Sequence, residues 1–70
     1  MVEVFKTNVE KISQSKILLQ KLSSHFPSHK INFDLTDCDR ILRVQGANVS
    51  SEKIIELLSE ENYQCRVLEQ

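Results

Sequence analysis

The chain has 70 residues, which is enough for one domain and too few to enclose a deep cavity beside a hydrophobic core. Nine lysines and arginines against ten aspartates and glutamates give a net charge of −1, which argues against the basic footprint of a nucleic-acid-binding protein. No stretch is long and apolar enough to cross a membrane, and the first residues lack the pattern of a signal peptide. We therefore expect a single cytoplasmic domain over residues 1–70 that binds neither nucleic acid nor membrane.

The first half of the chain reads as strand, helix, strand. Residues 2–5 alternate like a short strand, and Thr7 and Glu10 have the spacing of a capping box, which predicts that a helix begins there. Pro27 ends this helix near Ser24. Its predicted buried stripe, with Leu18 at the edge, is Ile12, Ser15, Leu19, Leu22 and Phe26. Residues 30–36 alternate cleanly and predict a half-buried strand.

The second half repeats the pattern. A turn at 37–39 leads to a third strand over 40–45, with Leu42 and Val44 inward, and the single glycine, Gly46, ends it. Ser50 is the predicted cap of a second helix, and Asn62 is suited to the left-handed conformation that ends one. Residues 63–68 form the last predicted strand. The order predicts an α+β ferredoxin-like fold: a four-stranded antiparallel sheet with two helices on one face, the first strand central and the second at an edge.

This order of elements resembles the heavy-metal-associated domain, the fold of copper chaperones and of the N-terminal domains of metal-pumping ATPases. The ending that carries the resemblance is Asn62-Tyr63-Gln64-Cys65-Arg66-Val67, with Asn62-Tyr63 where the family has Gly-Tyr. The family's Cys-x-x-Cys, which clamps a soft ion where the first strand meets the first helix, is absent. Its two places fall on Val9 and Ile12. The resemblance therefore implies the fold and a degenerate metal site, not metal transfer.

Cysteine and histidine chemistry offers weak candidates. Three connections, residues 6–10, 36–40 and 61–64, are expected to meet at one end of the fold. Cys38 lies there with Asp37 and Asp39, either as a displaced Zn(II) site or as an ordinary hairpin turn. Cys65 is expected in the core as a thiol, and the two histidines, His25 and His29, are expected in a solvated loop.

The face of the sheet away from the helices is the predicted binding surface. If Val2 and Val4 point to the helices, Phe5, Ile41 and Leu68 form an apolar patch on the open face. Arg43 and Arg66 belong to its charged rim, together with Glu3 and Asp34. The alternative is a face of isolated apolar residues covered by arginine stems.

No nucleophile and base can be assembled from these residues, so we expect neither an enzyme nor a cofactor. The predicted function is a small binding module that contacts a protein partner or a second copy of itself. The alternative is metal binding or transport through Cys38. A third hypothesis, a regulatory domain sensing an amino acid, requires a polar pocket for which the sequence offers no signal.

Overall fold

The computed structural model describes residues 1–68, which build one antiparallel sheet and two helices. The elements are β1 (Val2–Thr7), α1 (Ile12–His25), β2 (Lys30–Asp34), β3 (Ile41–Gln45), α2 (Ser51–Glu60) and β4 (Cys65–Val67). The strands lie in the order β2-β3-β1-β4, and each neighbouring pair is antiparallel. The predicted ferredoxin-like α+β fold is confirmed, with β1 central and β2 at an edge. Within residues 1–68 no helix is long and apolar enough to span a membrane.

The hydrophobic core lies between both helices and one face of the sheet. Phe5 of β1 stands opposite Leu42 of β3 and Val67 of β4, and residues paired in this way share a face. Phe5 and Leu42 are fully buried, as are the side chains that the helices contribute: Leu18 and Leu22 from α1, and Ile54, Leu57 and Leu58 from α2. Burial of these side chains supplies most of the stability available to so short a chain.

The predicted orientation of β1 is wrong. Phe5 was expected on the open face and is instead fully buried in the core, while Val2 is 52% exposed. Alternation along the strand then places Val2 and Val4 on the face away from the helices, and Glu3 on the helix side. The physical reason is the larger apolar surface of phenylalanine, since burying it between the two helices gains more than burying a valine.

Helix α1 begins at Ile12, and its N-cap is Lys11, four residues later along the chain than Thr7, which was expected to cap it. Thr7 instead ends β1: its N–H donates to the carbonyl of Asp39, and its hydroxyl donates to the carbonyl of Arg40 at 2.7 Å. The Gln14 side chain caps the start of the helix, because its Oε1 accepts a hydrogen bond from the N–H of Lys11 at 3.1 Å. With this start, Leu18 becomes central to the buried stripe.

The signals around α2 behave as predicted. Ser50 precedes the helix with an extended backbone, and its Oγ accepts from the N–H of Lys53 at 3.3 Å. Asn62 takes the left-handed conformation with φ 66°, and the next N–H, from Tyr63, donates back to the carbonyl of Leu58. This C-terminal cap ends α2 and directs the chain toward β4.

Candidate functional site

Neither helix packs on the second face of the sheet, which we call the open face. Strand alternation and register assign it Val2, Val4 and Lys6 from β1, Lys30, Asn32 and Asp34 from β2, Ile41, Arg43 and Gln45 from β3, and Arg66 from β4. Leu68 extends this face, because its N–H donates to the carbonyl of Val4 at 2.8 Å directly beyond the last ladder pair. The predicted positions of Arg43, Arg66 and Leu68 agree with this arrangement.

The apolar strip on the open face consists of Val2, Val4 and Leu68. Val2 is half exposed, and Val4 and Leu68 are partly exposed next to each other. Ile41 shares the face but is only 4% exposed, between its register neighbours Lys6 and Asp34. Of the predicted patch, Phe5 is in the core and Ile41 is covered, so the accessible apolar surface is centred on Val4. Sequence reasoning missed Val2 and Val4 because it assigned them to the core.

The charge of the open face is positive although the chain carries a net charge of −1. Its cations are Lys6, Lys30, Arg43 and Arg66, and its one acidic residue among residues 1–68 is Asp34. A hydrogen bond from the Thr36 hydroxyl holds the pKa of Asp34 below its ordinary value, so Asp34 is ionised. Its nearest cation on this face is Arg43, at 3.9 Å between Nη1 and Oδ2.

The three predicted connections do meet at one end of the sheet. The N–H of Thr7 reaches the hairpin carbonyls of Asp39 and Arg40, both at 3.2 Å. On the other side, the N–H of Asn8 donates to the carbonyl of Gln64 at 3.3 Å, and the Gln64 N–H donates to Asn8 Oδ1 at 2.8 Å. The first connection is therefore fastened to both of the others.

The hairpin places the ligand atoms of Asp37, Cys38 and Asp39 within 4.8 Å of one another. Two of the three side chains already have partners. Asp37 Oδ1 accepts from the N–H of Asp39 at 2.9 Å, which is a turn-closing bond, and Asp39 pairs with Lys6 at 3.4 Å. These contacts are those expected of an ordinary hairpin turn, and Cys38 is exposed at its tip.

Val9 and Ile12, the two positions at which the resemblance would place cysteines, have different environments. Val9 is fully buried in the core, where its N–H donates to the Thr7 hydroxyl at 3.2 Å. Ile12 is 68% exposed at the start of α1. The Val9 side chain therefore anchors the strand–helix connection in the core, and the Ile12 side chain projects into solvent.

A cleft of about 270 Å³ opens where β1 ends and β4 begins, lined by Lys6, Thr7, Asn8, Gln64, Cys65 and Arg66. The lining combines two cations, two amides and a hydroxyl with the Cys65 thiol. Burial raises the pKa of Cys65 to about 12, so this thiol is neutral. The sequence offered no signal for this polar cleft because its two halves are more than 50 residues apart and meet only through the β1–β4 pairing.

The prediction of a solvated histidine loop is wrong for His29. Both ring nitrogens of His29 are buried without a hydrogen-bond partner among residues 1–68. The ring packs edge-on against Phe26 with centroids 5.4 Å apart, and it covers Gly46. His25 is exposed, and its Nδ1 lies 3.0 Å from the carbonyl oxygen of Lys21. The two histidines therefore occupy separate environments.

Comparisons with protein-family models, with curated proteins and with solved structures found no match to this chain.

Proposed function

We propose that this domain is a non-catalytic binding module whose open face receives a protein segment that combines apolar and acidic side chains. The observation that supports this most is the apolar strip of Val2, Val4 and Leu68 set among cations on a sheet face that neither helix covers. Its divergence from the heavy-metal-associated pattern at Val9 and Ile12 agrees with a role that does not depend on a thiolate pair.

The size of the strip indicates a weak, reversible contact. Only Val2 is more than half exposed, and Val4 and Leu68 lie partly covered between longer neighbours. Small apolar centres with a charged rim are typical of transient interfaces below about 1,200 Å². We therefore expect a partner that docks in the micromolar range and not an obligate subunit.

The charge of the face selects the partner. Lys30 and Arg66 have no acidic partner among residues 1–68, whereas Lys6 and Arg43 pair with Asp39 and Asp34. Carboxylates on the incoming segment would pair with Lys30 and Arg66 and speed the encounter, while basic segments would be repelled.

The open face favours protein over nucleic acid for a structural reason. Single-stranded RNA and DNA are bound by stacking bases on exposed aromatic rings. Phe5 and Phe33 both point to the helix side of the sheet, since each is paired in register with the buried Leu42. Within residues 1–68 the strands therefore present no aromatic ring on the open face.

A titration with two model peptides tests the proposal. The first alternates leucine and valine with glutamate, and the second replaces each glutamate with lysine. We expect the acidic peptide to cause saturable amide shifts at Val4, Arg43 and Arg66 in NMR spectra, and the basic peptide to cause none. Val4→Glu should abolish the shifts. Ile17→Glu is the matched control, because Ile17 is 62% exposed on α1, outside the open face.

Equal responses to the two peptides, or shifts that survive Val4→Glu, would contradict the proposal. Sedimentation of the same variants tests whether a second copy of the chain occupies the open face. A dimer that Val4→Glu dissociates would show that it does. A response to a single-stranded oligonucleotide as strong as that to the acidic peptide would assign the face to nucleic acid.

Metal binding at Cys38 is the competing function, and the contacts support it less well. The favourable observation is the closeness of the three ligand atoms of Asp37, Cys38 and Asp39. Against it, Asp37 closes the turn and Asp39 pairs with Lys6, so binding an ion would sacrifice both contacts. Titration of the reduced protein with Zn(II) distinguishes the two functions, because saturable shifts at Cys38 that Cys38→Ser removes would favour the metal site.

A further inference from the structure

The cleft where β1 ends and β4 begins adjoins the apolar strip, because Lys6 and Arg66 lie on the open face beside Val4 and Leu68, and it has the composition of a small-anion site. Of its six lining residues, Lys6, Thr7, Asn8, Gln64, Cys65 and Arg66, none is acidic. We propose that this cleft binds the carboxylate or phosphate group of a small molecule. The proposal concerns a small-molecule ligand: it shares Arg66 with the open face, but it does not require a protein to occupy that face.

Two cations stand side by side in the lining of the cleft. Lys6 and Arg66 stand directly opposite each other in the β1–β4 ladder, and opposite residues on one face have Cβ atoms about 4.5–5.5 Å apart. Like charges in that arrangement destabilise a sheet. Asp39 relieves the charge of Lys6 at 3.4 Å, but Arg66 pairs with no carboxylate in the described chain. An anion bound beside Arg66 would compensate the cation that has no carboxylate partner among residues 1–68.

Asn8 adds a neutral donor to the lining of the cleft. Asn8 Oδ1 accepts from the N–H of Gln64, so the side-chain NH2 of Asn8 is left as a donor. Cys65 is held neutral by burial, which raises its pKa to about 12, and therefore brings no negative charge to the cleft. Charge-assisted bonds from a guanidinium and amide donors are the usual means of holding carboxylate and phosphate.

The size of the cleft limits the ligand. At about 270 Å³ it lies just below the range of about 300–1,000 Å³ that is typical of pockets for drug-sized molecules. A ligand of few non-hydrogen atoms fits this volume, and its affinity is expected to be about millimolar for a bare anion.

NMR titrations at constant ionic strength test the proposal, with inorganic phosphate in one arm, succinate in the second and chloride in the third. We expect saturable shifts at the amides of Asn8, Gln64 and Arg66 with phosphate or succinate and none with chloride. The arm that saturates at the lower concentration identifies the phosphate or the carboxylate as the preferred group.

Variants provide the second readout. Arg66→Gln should weaken binding at least tenfold, and Asn8→Ala should weaken it by a smaller factor. Lys16→Gln is the matched control: it removes one cation from the exposed surface of α1 and should change the affinity less than twofold. The proposal is overturned if chloride produces the same shifts, if none of the anions saturates below about 50 mM, or if Lys16→Gln weakens binding as much as Arg66→Gln does.

Discussion

Replacing the single glycine, Gly46, with alanine should destabilise the fold because the added methyl group would clash with the ring of His29. Gly46 follows β3, and its φ is not in the left-handed region, so its backbone accepts a side chain. A Cβ placed there would meet His29 Cδ2 at 2.6 Å, about 0.8 Å closer than an ordinary contact. The ring is itself confined, because it packs against Phe26 and its nitrogens are buried.

Two opposed effects determine how much Gly46→Ala changes the free energy of unfolding. Overpacking of this kind costs about 1–3 kcal/mol in the folded state. Gly→Ala at a compatible backbone position returns about 0.4–1 kcal/mol by restricting the unfolded chain. We therefore expect Gly46→Ala to lower the free energy of unfolding by about 1–2 kcal/mol, which for a domain of this size lowers Tm by about 4–16 °C.

A double-mutant cycle with His29→Ala makes the reasoning testable. Removing the ring removes the three closest contacts of the added methyl, and Gly46→Ala should then become stabilising by about 0.4–1 kcal/mol. Urea unfolding followed by circular dichroism measures all four proteins. A Gly46→Ala penalty of equal size in both backgrounds would refute the role of His29, as would a stabilising effect in the wild-type background.

Three further outcomes follow from the contacts. Lys21→Met should remove the hydrogen bond and ion pair with Glu60, which lower the pKa of that carboxyl group. Thermal melts of both proteins should show that the stabilisation by Lys21 is present above pH 4.5, fades as the pH falls through the lowered pKa, and diminishes in 1 M salt. Iodoacetamide at pH 8 should modify exposed Cys38 well before Cys65, because a pKa of about 12 leaves only about one Cys65 thiol in ten thousand ionised; equal labelling by mass spectrometry would contradict this. Phe5→Ala should cost about 3–5 kcal/mol in urea unfolding, whereas a cost below 1 kcal/mol would mean that Phe5 is not in the core.

The sequence of strands and helices along the chain was predictable because its signals are local. Alternation in residues 30–36 and the cap at Ser50 each favour one conformation without reference to distant parts of the chain. The single buried stripe of α2 likewise leaves one way to pack it on the sheet. These signals agree with one another, and the fold follows from them.

The orientation of β1 was not predictable in the same way. Val2 and Val4 share one face of the strand and Phe5 lies on the other, so both faces look apolar in sequence. The choice is made by the pairing of Phe5 with Leu42 and Val67 beneath both helices, a long-range arrangement. Because the two faces of β1 are the reverse of those predicted, the candidate surface contains Val4 in place of Phe5.

The polar sites depend on contacts between distant segments. The cleft requires Asn8 and Gln64 to exchange hydrogen bonds, and neither residue belongs to a motif. His29 was expected in a solvated loop, but its ring covers Gly46. Such placements become visible only once the register of the sheet is known.

Photo-crosslinking in the cells that express the protein tests the binding role of the open face most directly. A benzoylphenylalanine at position 4 should crosslink to one partner, at a segment whose apolar residues are flanked by aspartate or glutamate. The same probe at position 17, on the exposed side of α1, should not capture that partner. If both positions yield the same products, or if position 4 yields none while the protein remains folded, the open face is not the docking surface.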